Sequence, residues 1–187
     1  MGPSPMRRLC VFAGSRQGGP LYVSAARAVA VAIVRSGYGI VYGGGRQGLM
    51  GVVADAALAA GGDVRGVIPR DLMDRELAHP GLSSLSVVSS MHERKATMYD
   101  LSSGFVAIPG GLGTLDETFE TLAWRQLGIH RKNLGLLDVA GYWEPLVRWI
   151  ERALRDGFID PCAPSLLVDS DPDRLIGRVL PQEEQEE

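Results

Sequence analysis

The apolar positions of this chain fall in short runs separated by longer amphipathic stretches, and that alternation predicts the fold before any motif is considered. Leu9 to Ala13 is apolar throughout and ends at Gly14, the pattern of a strand buried on both faces. The loop Gly14-Ser15-Arg16-Gln17-Gly18-Gly19-Pro20 leads into an Ala/Val-rich helix from about Leu21 to Ser36, which Gly37 stops. A second strand over Gly39–Tyr42 is followed by a glycine cluster and a helix through about Ala60. Val64–Ile68 reads as a third strand, closed by Pro69. From Arg70 to Gly81 the chain mixes proline and charge with neither periodicity. Leu85–Val88, Phe105–Ile108, Leu134–Leu137 and Leu166–Val168 supply further strands. Helices fill the gaps at about Glu93–Ser102, Leu115–Gln126, Trp143–Arg155 and Pro172–Val179.

Strands that alternate with helices imply right-handed crossovers and a parallel sheet. The expected fold is α/β: a Rossmann-like, doubly wound parallel sheet with helices on both faces, forming a single nucleotide-binding domain over 1–187. The only low-complexity segment is the acidic tail at 181–187, expected to be disordered. In such folds a ligand lies outside the carboxyl ends of the strands, where the strand order reverses. The loops after the first, second and fifth strands are rich in glycine, so the candidate chemistry falls where the architecture expects it.

Bulk composition narrows the function further. The chain has 187 residues, 45% hydrophobic and 22% charged, with a formal net charge of −3. Glu183, Glu184, Glu186 and Glu187 supply four of the negative charges, so the rest of the chain is close to neutral. No basic surface of the kind that attracts nucleic acids or anionic membranes is expected, and an anion must be held by a local site. Cys10 and Cys162 do not form a disulfide framework, and His79, His92 and His130 are not spaced as a metal set. The apolar run near the start is too short for a signal peptide or membrane span, which leaves the cytoplasm as the expected location.

Two glycine loops carry the chemistry. Gly43-Gly44-Gly45-Arg46-Gln47-Gly48 follows a strand, opens a helix and matches G-x-G-x-x-G. A nicotinamide reading also needs an acid ending the next strand, to hold the ribose hydroxyls. That strand ends in Ile68-Pro69, and the nearby Asp63 precedes it. The alternative is a set of glycines that lets a strand turn tightly into a helix.

The segment Pro109-Gly110-Gly111-Leu112-Gly113-Thr114-Leu115-Asp116-Glu117 is more specific. Its glycines let backbone N–H groups converge on an anion, the following helix N-terminus adds partial positive charge, and Thr114 adds a hydroxyl. No lysine follows the last glycine, so this is not a Walker loop. Thr114-x-x-Glu117 also reads as a capping box, with Thr114 as N-cap and Glu117 reaching back to it. Both readings stand on the local sequence.

Met91, Arg94, Met98 and Leu101 fall on one helix face, which sets an arginine inside an apolar stripe. Either its stem covers apolar surface while its head reaches water, or the guanidinium is aimed at a phosphate or carboxylate. Lys95 lies at a different angle, Ser15 could donate from the first loop, and Glu120 reads as a solvated or interface residue.

Together, Gly43–Gly51, Met91-His92-Glu93-Arg94-Lys95 and the 109–117 segment resemble the Lonely Guy family, the cytokinin riboside 5′-monophosphate phosphoribohydrolases. The similarity runs from about Leu9 to Val168. It includes Ile68-Pro69 with Glu76 downstream, and Trp124 to His130. The resemblance implies a Rossmann-like homodimer with sites near the subunit interface, and hydrolysis of N6-substituted AMP to free base and ribose 5-phosphate. It implies Arg94 and Glu117 as the catalytic pair. Gly110, Gly111, Gly113, Thr114, Ser15, Gly44, Gly45, Glu76, Met91 and Lys95 would bind substrate, and no metal or organic cofactor is expected. Two departures bear on base preference: Arg16 stands in a usual Gly-Ser-Ser loop, and Ala123 replaces a common threonine. Members are often labelled lysine decarboxylases, but a pyridoxal enzyme needs a Schiff-base lysine, and this chain has only Lys95 and Lys132. The alternatives are a nucleosidase for AMP or another purine nucleotide, and a non-catalytic nucleotide or molybdenum-cofactor carrier of the same fold.

Overall fold

A computed structural model of the chain describes residues 6–73, 77–160 and 166–181. Seven strands form one parallel sheet: β1 (Arg8–Phe12), β2 (Gly39–Tyr42), β3 (Val64–Pro69), β4 (Ser84–Val88), β5 (Gly104–Ala107), β6 (Leu134–Leu137) and β7 (Leu167–Asp169). Their order across the sheet is β4-β3-β2-β1-β5-β6-β7. The helices are α1 (Pro20–Arg35), α2 (Gly48–Ala59), α3 (Met91–Asp100), α4 (Leu112–Gln126), α5 (Glu144–Arg155) and α6 (Pro172–Val179). The order reverses between β1, which pairs with β5 from Leu9↔Gly104 to Phe12↔Ala107, and its other neighbour β2. The cleft between the ends of β1 and β5 is therefore the switch point of a doubly wound sheet.

Strand residues alternate between two cores because successive side chains leave opposite faces of the pleat. Leu9 and Val11 join Ile40, Val106 and Ile108 in a core packed under α1, α2 and α6. Cys10 and Phe12 face the other way, with Val41, Phe105, Leu134 and Leu136, and meet Met98 and Tyr99 of α3 and Trp143. β1, β2, β5 and β6 are buried from end to end, which explains why their sequences are continuous apolar runs rather than alternating ones.

The predicted elements are all present, with shifted ends. α4 begins at Leu112, three residues earlier than expected, with Gly111 as its N-cap. α3 begins at Met91, two residues early, because the Ser90 hydroxyl accepts from the Glu93 N–H at 3.1 Å. Glu93 in turn accepts from the Ser89 hydroxyl at 2.6 Å and the Ser89 N–H at 2.7 Å, contacts that hold its carboxyl below the usual pKa. Asp63, the acid considered for a nicotinamide ribose, pairs with Arg8 at 2.6 Å at the amino ends of β1 and β3. That is the wrong end of the sheet for a ligand at the switch point. Glu76, Cys162 and 182–187, including the expected tail, lie outside the described residues.

Candidate active site

A cavity of about 520 Å³ opens at the switch point. Its floor comes from the loop after β1, Ala13–Gly18, and one wall from Pro109–Thr114 after β5. The two loops approach closely: a Cβ on Gly14 would stand 3.6 Å from Gly110 Cα and 3.7 Å from Gly111 N. Gly48 is needed for a similar reason. It sits at φ +60°, and any side chain there would overlap the Ser15–Arg16 backbone. The Met50 N–H in the first turn of α2 donates to the Gly14 carbonyl at 3.3 Å, tying that helix to the cavity floor.

The second wall belongs to α4. Because the helix starts at Leu112, its first N–H groups have no carbonyl within the helix to receive them, and they lie along the cavity. Such an arrangement can cradle an anion, with the positive end of the helix behind it. Gly111 and Gly113 have nothing within 4 Å of where a Cβ would go, so their backbone is open. Thr114 is buried inside the first turn, and among the described residues its Oγ1 has no hydrogen-bond partner. That position overturns the capping-box reading: an N-cap lies outside the helix, and Thr114 is its third residue. Glu117 therefore follows one turn into the helix from the cap and lines the cavity.

Arg94 reaches the same cavity from α3. It is 5% exposed, so the reading in which its head extends into bulk water does not hold. Nη2 donates to the Gly43 carbonyl at 2.9 Å, and Nη1 lies 3.7 Å from Met91 Sδ. Arg94 and Glu117 also act in opposite senses on Cys10, whose thiol burial pushes well above its usual pKa; Glu117 raises it further and Arg94 lowers it. Both charges are thus seated over the same buried strand residue.

Of the residues singled out in the sequence, Arg94, Glu117, Met91, Ser15, Gly110, Gly111, Gly113 and Thr114 line one cavity. Gly44, Gly45 and Lys95 do not. Gly44, at φ +79°, packs under Leu85 and Ile68, where a Cβ would meet Leu85 Cδ1 at 3.1 Å. Gly45 pairs with Ala78 and accepts from the Tyr42 hydroxyl at 3.1 Å. The second glycine loop thus turns towards the sheet edge, which is the tight-turn alternative for those two positions. Lys95 joins Asp116 at 3.0 Å and Glu120 at 3.1 Å, linking α3 to α4. Burial pulls its ammonium pKa down, but these two carboxylates outweigh that and raise it.

Tyr22, Tyr142, Asp116 and Arg16 also line the cavity, and the first three were not picked out in the sequence. No local motif marks them. Tyr142 does follow the carboxyl end of β6, the side of the sheet where ligands sit, and that signal could have found it.

A Rossmann-like sheet with an anion cradle, a buried arginine and a carboxylate at its switch point defines a nucleotide-binding class of protein. Residues 50–177 match the family model described as "Possible lysine decarboxylase". A cytokinin riboside 5′-monophosphate phosphoribohydrolase of Arabidopsis thaliana is 48% identical over 159 residues, covering 84% of this chain and 70% of that protein. A second Arabidopsis thaliana protein of the same name is 42% identical over 184 residues, covering 98% and 85%. The chain belongs to this family, the Lonely Guy phosphoribohydrolases. Among solved structures it resembles the molybdenum cofactor binding protein of Rippkaea orientalis, with a TM-score of 0.71, 20% identity and coverage of 94% and 96%. A molybdenum cofactor carrier protein from Chlamydomonas reinhardtii aligns with a TM-score of 0.69 at 20% identity, covering 94% and 96%. At that identity the likeness speaks to fold alone.

Proposed function

We propose that this chain hydrolyses the N-glycosidic bond of cytokinin riboside 5′-monophosphates, releasing the N6-substituted adenine and ribose 5-phosphate, as a cytoplasmic homodimer whose residues 1–187 act as one domain. The observation that carries this reading is the convergence of Arg94 and Glu117 on the cavity that holds the amide cradle. The 5′-phosphate would sit on the amides of Gly111 to Thr114, with the Thr114 hydroxyl as a further donor and Ser15 across the floor. This places the ribose over Glu117.

Breaking the bond from ribose C1′ to the purine nitrogen develops positive charge on the sugar, which a facing carboxylate stabilises. Water oxygen bonds to C1′ and gives a proton to Glu117. The base leaves with the electron pair of the broken bond and takes up a proton from solvent, while Glu117 releases its own to solvent, so that one water is added across the bond in sum. Arg94, fixed by Gly43, orients the phosphoribosyl group and Glu117. A positioned acid–base group supplies about 10² to 10⁴ in rate, and orientation and the cradle supply the rest. Met91, which lines the cavity, is assigned to the nucleotide's periphery.

The lysine decarboxylase label fits the two lysines poorly. Lys95 is engaged by Asp116 and Glu120, and Lys132 donates to the Tyr99 carbonyl and lies 5.9 Å from the Phe105 ring centroid. Neither lines the cavity. For the dimer, Leu112 is 86% exposed on the cavity rim, and Phe119 on the same helix meets Trp149 edge-to-face at 5.6 Å. A second copy laid over this apolar strip would also close the rim. Sedimentation of the chain as a monomer at micromolar concentration would rule that out.

The test is incubation with AMP and with N6-isopentenyl-AMP, followed by chromatography of the bases. Release of isopentenyladenine in preference to adenine is the expected result. Preference for AMP would make the chain a purine nucleotide nucleosidase, and no release from either would leave the carrier reading.

A further inference from the structure

Tyr142 has no place in the motifs or in the chemistry above, yet several features of the fold converge on it. It follows β6 in a turn that is unusual for its residue types: Ala140 sits at φ +53° and Gly141 at φ +75°. A left-handed alanine is unfavourable and persists only where its surroundings over-determine it. Here the Asp138 carboxylate does so, accepting from the Gly141 N–H at 3.1 Å and the Trp143 N–H at 2.9 Å. Trp143 is itself 2% exposed, and its indole N–H donates to the Leu137 carbonyl at 3.1 Å. The turn is thus anchored at both ends, and the residue it presents outward is Tyr142.

The tyrosine ring is held by two aromatic neighbours. It meets Tyr22 edge-on at 5.8 Å and Trp143 at 5.0 Å. Its hydroxyl donates to the Gly110 carbonyl at 2.6 Å, a bond between two segments 32 residues apart. Gly110 opens the cradle, and a Cβ there would overlap the Thr114 hydroxyl, so no side chain can steady that peptide from within. In a trans peptide the carbonyl and the next N–H point in opposite directions. Fixing the Gly110 oxygen against Tyr142 therefore fixes the direction of the Gly111 N–H. It also keeps a carbonyl dipole from turning towards a bound anion.

We propose that Tyr142 is a positioning residue of the phosphate cradle, holding the Gly110–Gly111 peptide in its anion-binding orientation through the Gly110 carbonyl. The role assumes the phosphate seat proposed above but not the bond that is cleaved, so the two can fail separately. The hydroxyl has this role and the ring does not, so Tyr142→Phe removes it while keeping the contacts with Tyr22 and Trp143.

The test is calorimetric titration of wild type and Tyr142→Phe with ribose 5-phosphate and with adenosine, alongside turnover of N6-isopentenyl-AMP. Loss of one hydrogen bond to the cradle should weaken ribose 5-phosphate about tenfold, leave adenosine unchanged, and raise KM by about the same factor with little effect on kcat. The melting temperature should not move. Equal ribose 5-phosphate affinities in the two proteins would overturn the inference, as would a parallel loss for adenosine, which would mark a general structural role. If wild type binds ribose 5-phosphate but releases no base, the reaction assigned above fails, while the binding comparison still decides the role of Tyr142. If wild type binds no ribose 5-phosphate, both fall.

Discussion

The guanidinium of Arg94 and the backbone of Gly43 are in such close contact that the glycine has no room for a single carbon more: Nη2 donates to the Gly43 carbonyl at 2.9 Å, and a Cβ on Gly43 would occupy the space of that same nitrogen. Gly43 is therefore a mould for the arginine. Its φ is not in the left-handed region, so alanine fits the backbone there, and what must yield is the far end of a flexible side chain. Gly43→Ala should accordingly fold with a near-normal melting temperature and still lose about 100-fold in kcat, matching Arg94→Ala. Comparing turnover and melting curves of the two variants checks it. A Gly43→Ala protein with full activity would show that the seat of Arg94 does not matter to the chemistry.

Glu117 is the residue whose role the sequence left most evenly divided. As a capping-box member it would tolerate glutamine. As the carboxylate that faces an oxocarbenium-like sugar it would not. With Gly111 as N-cap and Thr114 inside the first turn, the capping-box role is closed to it, and the proposed catalytic role is the one that a substitution tests. Glu117→Gln should lose at least about 100-fold in kcat with the melting curve of wild type. Near-normal turnover by that variant would remove Glu117 from the chemistry.

The division between what was readable and what was not follows from physics. Strands buried on both faces announce themselves as apolar runs, so Leu9–Phe12 and Phe105–Ala107 were visible within a residue. The glycine loop at the cavity was visible because glycines leave backbone N–H groups uncovered. The start of α4 was not, because Gly111 as a cap leaves no side-chain signature, whereas Thr114 supplies a misleading one. Gly44 and Gly45 misled for a related reason: glycine serves close packing against Leu85 and Ile68 as readily as it serves a ligand. Tyr22 and Tyr142 come from separate crossovers and meet only in three dimensions, so no local pattern could pair them.

Thr114 carries an imbalance that can be measured without any substrate. Its buried Oγ1 has no partner among the described residues, and burying such a hydroxyl costs about 1 to 3 kcal/mol in desolvation, which a hydrogen-bonded ligand would offset. Thr114→Val keeps the shape and removes the hydroxyl. The variant should be as stable as wild type or more stable, by up to about 1 kcal/mol, and should bind ribose 5-phosphate about tenfold more weakly. Denaturant melts and calorimetry together give both numbers. A destabilised valine variant would mean that the hydroxyl already has a structural partner.

His130 predicts how stability changes with pH. Its ring packs against both Tyr99 and Phe105, Nε2 pairs with the Thr121 carbonyl at 3.1 Å, and Nδ1 accepts from the Lys132 N–H at 3.2 Å. Burial lowers its pKa from 6.5, the Thr121 carbonyl offsets part of that, and Lys132 and Arg125 add smaller downward contributions. Since Nδ1 accepts, the folded protein holds the neutral ring with its proton on Nε2. The unfolded chain takes up the second proton first, so stability is complete above pH 6.5 and declines as pH falls from there through the lowered folded value. His130→Gln should cost stability at pH 8 but flatten the decline below about pH 6.5. Melting temperatures of both proteins across that range test it, and an unchanged slope in the variant would place the titration elsewhere.

The glycines separate folding from binding within one protein. A Cβ on Gly51 would overlap the Arg46 carbonyl, which is backbone and cannot swing aside, so Gly51→Ala should cost about 1–3 kcal/mol, as overpacking a core does. Gly111 and Gly113, by contrast, have nothing within 4 Å of the added carbon. Alanine at either position should leave the melting temperature near that of wild type, because only the open cavity receives the methyl group. With the phosphate seated on this loop as proposed, the added methyl crowds it, and ribose 5-phosphate affinity should fall by tenfold or more in both. Melting curves and titrations of the three variants give a plain contrast: one loses the fold, two lose the ligand. If Gly111→Ala and Gly113→Ala bound ribose 5-phosphate as wild type does, the anion would not be seated on this loop, and the placement of the sugar over Glu117 would lose its anchor.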